Sequence, residues 1–195
     1  AAGSAPKPPE MSPIDVEKYE CVTDVAALDG WIAKAREAGV VAFDTETDSL
    51  EAVTATLVGF SLATAPGEAC YVPLQHGGTD MFAEKPKQIA FDDALARLKM
   101  LLEDDSILKV GQNLKYDMSV MAQHGISIAP FDDTMVMSFN LDASEHGHGM
   151  DELSKLHLSH ECISYKSVAG TGKSQISFAE VALPEATKYA AEDAD

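Results

Sequence analysis

The stretch "GVVAFDTETDSL", residues 39–50, decides how the chain is read. Its first half, Val40, Val41, Ala42 and Phe43, is strand-forming. Its second half sets Asp44, Glu46 and Asp48 at alternate positions, where the period of two of a strand puts them on one face. Three carboxylates so arranged repel one another unless something cationic lies between them. The stretch predicts a strand that ends by pointing acids at a site for a positive partner.

Helical spacing of Val25, Leu28, Ile32 and Ala35 predicts a helix over 24–38, with Gly39 as its stop. Strands are expected over 40–45, 56–63 and 69–74. Their links are short and turn-rich, Pro66-Gly67 being the clearest, which favours an antiparallel meander. "FDDALARLKMLLED" is a helix with Leu95, Leu98 and Leu102 on one face. "ILKVGQ" is then a short buried strand, and "NLKYDMSVMAQHG" a helix with Asn113 as cap and Gly125 as its end. From Asp132 the chain reads as helices broken at "SEHGHG" and "AGTGKS". Strands first antiparallel and then alternating with helices imply an α/β fold, a mixed sheet covered by helices on both faces.

A length of 195 residues suits one domain with a real core. No apolar run approaches the ~20 residues needed to span a membrane. Residues 1–18 read as a flexible Pro/Ala-rich linker without the pattern of a secretory signal, and residues 19–195 as the folded domain. Cys21, Cys70 and Cys162 are odd in number and far apart. They suggest neither a disulfide framework nor a zinc site, and so a reducing cytoplasm. The net charge of −18 argues against a broad basic face for nucleic acid. The last stretch, "LPEATKYAAEDAD", is helical, with Pro184 near its first turn and no stop signal after it. The expectation is one domain of a longer polypeptide.

Two further places add to the opening acids. In "KVGQNLKYD" a strand delivers the chain to Asn113, and Asp117 lies one turn into the next helix, where α/β folds build sites. In "KYAAED" Tyr189 and Asp193 are four apart and share a helix face, while Glu192 and Asp195 are expected to point elsewhere into solvent. Taken singly, each acid reads as ordinary surface chemistry. Together, Asp44, Glu46, Asp117 and Asp193 are a hard oxygen set suited to magnesium or manganese. Two such ions roughly 3.5–4 Å apart stabilise the attacking and leaving oxygens of a phosphodiester displacement.

"FDTETDSL", "VGQNLKYD" and "YAAED", in that order, resemble the three motifs of the DEDD exonuclease superfamily, and the tyrosine four before the last aspartate marks its tyrosine subclass. With "DDTM" and "AGTGKSQISF" between them, they resemble the 3′→5′ proofreading domain of bacterial family-A DNA polymerase I, from about Cys21 to Asp195. That resemblance implies a ribonuclease-H-like fold and metal-dependent release of 5′-monophosphates from DNA 3′ ends, in replication and repair. It assigns Asp44, Glu46 and Asp193 to one divalent ion and Asp44 to a second, supported by Asp117. Tyr189 and Glu46 would orient the attacking water. Leu50 would press on the terminal bases, Gln112, Asn113 and Tyr116 would hold the frayed strand, and Tyr165 would stack on a base. The implied partners are a single-stranded or frayed DNA 3′ end and a polymerase domain in the same polypeptide, with no membrane, a monomeric state and a bacterial, nucleoid-associated setting.

Two ions would neutralise the site, and the polymerase domain would supply the duplex grip. The chain alone is therefore expected to bind DNA weakly, with steep salt dependence. Submicromolar affinity for duplex DNA at physiological salt, read by fluorescence anisotropy, would contradict this. The rival readings are a ribonuclease-D-like exoribonuclease, which shares the four acids and the tyrosine, and a catalytically silent scaffold. Other features are expected to be bland. "AGTGKS" has Ser167 where a Walker loop needs glycine. His146 and His148 belong to a loop, His157 and His160 to a helix surface, and Met118, Met121, Met135 and Met137 to the core.

Overall fold

A computed structural model describes residues 14–77, 85–143 and 146–195. The opening stretch forms β2 (Val40–Thr47), whose Val41 and Phe43 are buried on one face while Ala42, Asp44 and Glu46 take the other. It pairs antiparallel with β3 (Leu57–Ala65), which pairs antiparallel with β4 (Glu68–Pro73), giving the expected meander. On its other side β2 runs parallel to β5 (Leu108–Gly111), which runs parallel to β6 (Phe131–Asp133). A two-residue strand, β1 (Glu20–Cys21), pairs parallel with β4 at the far edge. The sheet order is β1-β4-β3-β2-β5-β6, the predicted mixed sheet with two short edge strands added.

Helices cover both faces. α1 (Val25–Ala38) and α2 (Phe91–Leu102) pack Leu28, Trp31, Ile32, Leu98 and Leu102 against Val41, Phe43, Leu62 and Val72. α1 starts at Asp24, whose carboxylate accepts the Ala27 N–H (3.0 Å), and ends at Gly39 in the left-handed region (φ 69°). α7 (Leu183–Ala194) lies on the opposite face, where Ala186 and Ala190 pack beside Val58 and Tyr71, and Ala191 and Ala194 beside Ala63 and Ala69. Its small residues let the helix lie close to the sheet, so Asp193 reaches the face that carries Asp44 and Glu46. Among the described residues no helix is long and apolar enough to cross a membrane.

Several expectations are corrected. Residues 1–13 of the expected linker lie outside the described residues, but 14–18 belong to the fold. Ile14 and Val16 pack beside Tyr19, Val16–Lys18 form a short 3-10 turn, and Glu17 pairs with Lys188 (2.5 Å). Asn113 does not cap α3 (Lys115–Ala122). It adopts φ 55°, and the free N–H groups of Asn113 and Leu114 donate to Asp133 (3.1 and 2.8 Å). Asp133 also caps α4 (Thr134–Asp142), accepting from Met135 and Val136 (2.9 and 3.2 Å). One carboxylate thus serves four backbone donors and fixes two helix starts. Asp133→Ala is expected to cost about 2–4 kcal/mol in urea unfolding, with Asp133→Asn recovering most of it; a change within about 0.5 kcal/mol would contradict the assignment. Of the four methionines only Met121 is fully buried; Met118 packs partly against the core, Met135 is half-buried, and Met137 is exposed. α4 buries no residue of its own.

Candidate active site

The site begins where β2 stops behaving as a strand. After Glu46 the pairing with β3 slips by one residue, Val58 of β3 being left over between Gly59 and Leu57, and Asp44 and Glu46 are the last regular pair on their face. Asp48, the third acid of the stretch, leaves the cluster. Its carboxylate accepts the Thr56 N–H (2.7 Å) and closes the loop 48–56. Leu50, at the tip of that loop, is 98% exposed.

From α7, Asp193 comes to the same point. One carboxylate oxygen each from Asp44, Glu46 and Asp193 lies within 4.8 Å of the other two. Tyr189 stands one turn earlier on the same face of α7, beside Asp193, and both line one cleft. Asp117 arrives from the first turn of α3, 2% exposed, with its Oδ1 accepting from the Thr45 N–H (3.0 Å) and hydroxyl (2.5 Å). Gly111 makes that approach possible. A side chain there would collide with Leu114 (2.5 Å) and the Phe43 carbonyl (3.0 Å), so only glycine lets the end of β5 turn so close to β2.

The electrostatics are those of a site awaiting cations. Burial, followed by the charges of Asp117 and Asp193, pushes the Asp44 carboxyl well up. Burial and then Asp44, Asp193 and Asp117 do the same to Glu46. Asp117 is pushed up to about 7 and Asp193 to about 8, burial leading in both. The Tyr189 hydroxyl is pushed up by burial and by Asp193, so it stays protonated and can donate. Glu46 Oε1 is buried without a hydrogen-bond partner. An orphaned carboxylate oxygen inside a converging set of hard donors is costly in a protein alone and fits a divalent magnesium- or manganese-type ion.

A cleft of about 580 Å³ opens from the acids, lined by Asp44, Glu46, Leu50, Asn113, Tyr116, Tyr165, Gln175, Tyr189 and Asp193. Most of the residues expected at the site therefore share one wall or another of it. Tyr116 also anchors the Leu50 loop, since its hydroxyl bonds Thr47 Oγ1 (2.5 Å) and donates to the Ser49 carbonyl. Tyr165 already stacks on Phe178 (6.3 Å, 24°) and meets Tyr189 edge-on, so its ring is braced by protein on one side. Gln112 is not brought to this cleft. Its amide donates to the His148 carbonyl (2.7 Å) and accepts from Thr134, and it lines an adjoining hollow of about 460 Å³ under α4, which Asp44 and Asp193 also border.

The expectation for Glu192 and Asp195 is overturned. Glu192 is 7% exposed, with Oε1 bonded to His160 Nε2 (2.8 Å) and Oε2 accepting the Ile163 N–H (2.5 Å). Asp195 accepts from the Tyr19 hydroxyl (2.7 Å) and the Gly67 N–H (2.6 Å). Both tie the last turn of α7 to the rest of the fold, and with it Asp193. His160, expected on a helix surface, sits instead in an irregular segment facing that helix. Sequence reasoning also missed Thr45, which steadies Asp117, and Asp133. The aspartate directly before "TMVM" is a helix-start signal that could have revealed the latter.

Comparison with known proteins gives one consistent result. A family model described as 3′-5′ exonuclease matches residues 19–195. DNA polymerase I of Rhizobium leguminosarum is 50% identical over 196 residues, covering 94% of this chain and 19% of that protein. Among solved structures, Escherichia coli RNase D superposes with a TM-score of 0.62 at 18% identity, over 90% of this chain and 41% of that one. Brucella melitensis NrnC with bound Mg2+ superposes at 0.55 and 23% identity, over 82% and 68%. These two likenesses concern the fold, which is that of ribonuclease-H-like exonucleases. The chain spans about a fifth of the length of the DNA polymerase I relatives it matches.

Proposed function

Since the chain belongs to the 3′-5′ exonuclease family of DNA polymerase I, we propose that it removes nucleotides from DNA 3′ ends as 5′-monophosphates, as the proofreading domain of a longer polymerase. The observation that carries this reading is the meeting of Asp44, Glu46 and Asp193 beside Tyr189, at one end of a cleft whose rim bears the exposed Leu50.

Asp44, Glu46 and Asp193 are the residues that would hold a first divalent ion, and Asp44 with Asp117 a second. Such ions, when bound, neutralise the phosphate and lower the pKa of water, so no histidine base is required. The protein's own part is positioning. Thr45 fixes Asp117, Glu46 offers a free oxygen, and the Tyr189 hydroxyl stays a donor that can orient an attacking water together with Glu46. Leu50 can wedge against the terminal base, with Asn113 and Tyr116 along the strand's path and the edge of Tyr165 beyond. Gln112, in the adjoining hollow, would act by holding the His148 carbonyl.

The proposed partners are a frayed or single-stranded DNA 3′ end and a polymerase domain in the same polypeptide, the chain being monomeric and cytoplasmic. The test is degradation of matched DNA and RNA oligonucleotides, each labelled at its 5′ or 3′ end, with manganese present. Stepwise loss from the 3′ end of DNA, with deoxynucleoside 5′-monophosphates as products, is expected. Preference for RNA would transfer the domain to the ribonuclease-D type of activity, and no product from either would leave it a scaffold.

A further inference from the structure

We propose that His160, Cys162 and Glu192 form a second metal site, built for zinc or a similar borderline ion and chemically distinct from the acidic cluster. One donor atom from each of the three lies within 4.8 Å of the other two. His160 and Cys162 stand two apart in the irregular segment before α6 (Tyr165–Ala169), and both bring a donor atom to the same point. They face Glu192, which sits one residue from Asp193 on α7. A nitrogen, a sulfur and one carboxylate oxygen suit zinc, whereas magnesium and manganese take oxygen sets such as Asp44, Glu46 and Asp193.

The supporting contacts are already in place. The Ile163 N–H holds Glu192 Oε2 (2.5 Å) and leaves Oε1 aimed at His160 Nε2 (2.8 Å), an arrangement that fixes both ligand orientations. The side chain of His160 is 25% exposed and Cys162 is half-buried, which provides an entry path and room for a water as fourth ligand. Bonds of about 2.0–2.3 Å in a tetrahedron separate donors by roughly 3.3–3.8 Å, so the His160–Glu192 pair must open slightly. Burial pushes the Cys162 thiol up, and the ion must displace its proton. A hydrogen-bonded His160–Glu192 brace would by itself explain two of the three residues, but it leaves out Cys162, whose thiol lies beside Ser154. Filled, the site would clamp residues 160–163 to the turn of α7 that carries Asp193.

The test uses cobalt(II) as a spectroscopic stand-in for zinc, added to the 195-residue chain in excess magnesium. A thiolate-to-cobalt charge-transfer band is expected, saturating at stoichiometric cobalt and displaced by zinc. It should vanish in Cys162→Ser and persist in Asp44→Ala, which removes the acidic site and so separates this inference from the exonuclease reading. In the unmutated chain, zinc should also slow alkylation of Cys162 by about tenfold, followed by mass spectrometry. No band in the unmutated chain, or the same band in Cys162→Ser, overturns the proposal. If that variant fails to fold, unprotected alkylation of Cys162 in the presence of zinc does so.

Discussion

Asp44→Ala is expected to lower nucleotide release from a DNA 3′ end by at least ~10³-fold, while making the metal-free protein more resistant to heat. The two effects have one cause. Asp44 feels the charges of Asp117 and Asp193, and it also raises the Glu46 carboxyl. It is thus the donor the two proposed ions would share, and its loss removes both at once. Without ions the same carboxylate is a liability, since burial and repulsion from the neighbouring acids disfavour its charged form. Its removal relieves that repulsion and leaves the α1 face of β2, with Val41 and Phe43, untouched. Release rates on labelled single strands and melting in a chelator check the two halves separately. Equal rates in both proteins would reject the catalytic role, and a lower metal-free melting temperature in the variant would reject the electrostatic one.

The second large effect is a stability that runs against the usual direction with pH. In the metal-free fold Asp117 is pushed up to about 7 and Asp193 to about 8, whereas in the unfolded chain both return to the ordinary carboxylate range near 4. Between those values the folded state holds protons the unfolded state has released, so stability must fall as pH rises. It is fully present below about pH 4 as far as these groups decide it, and is lost as pH climbs through 7 to 8. The melting temperature in a chelator is expected to drop on the order of 5–10 °C from pH 5 to pH 8.5. Millimolar magnesium should restore most of the loss at the alkaline end and little at pH 5, because ions compete with protons for the same oxygens. A metal-free protein that gains stability over that range, or magnesium stabilisation that does not grow with pH, would contradict the charge balance described for the cluster.

What could be read from the sequence were features of short period. Alternation in "VVAFDTE" separates Val41 and Phe43 from Asp44 and Glu46, and the spacing of four aligns Tyr189 with Asp193, because both repeats are fixed by local backbone geometry. The meander followed because the links between its strands are too short for anything else. Contacts made across the fold left no such trace. Glu192 looked solvated, since what buries it is an aperiodic segment thirty residues earlier, met through the His160 ring and the Ile163 N–H. Asp133 reaches back twenty residues to the start of α3, displacing the local cap that Asn113 seemed to offer. Gln112 and Asn113 are neighbours in sequence, yet the turn after β5 sends them into two hollows that meet at Asp44 and Asp193. Met137 was expected in the core as a methionine filling it, but α4 lies at the margin of the fold, where Val136, Met137, Phe139 and Leu141 stay exposed.

Asp44, Glu46, Asp117 and Asp193 are proposed to act together as a ligand set for two ions. A manganese anomalous difference map from crystals soaked with a nucleoside 5′-monophosphate tests that most directly. Two peaks roughly 3.5–4 Å apart are expected, one bounded by Asp44, Glu46 and Asp193 and the other lying between Asp44 and Asp117. A crystal of active protein with no manganese at these carboxylates would contradict it.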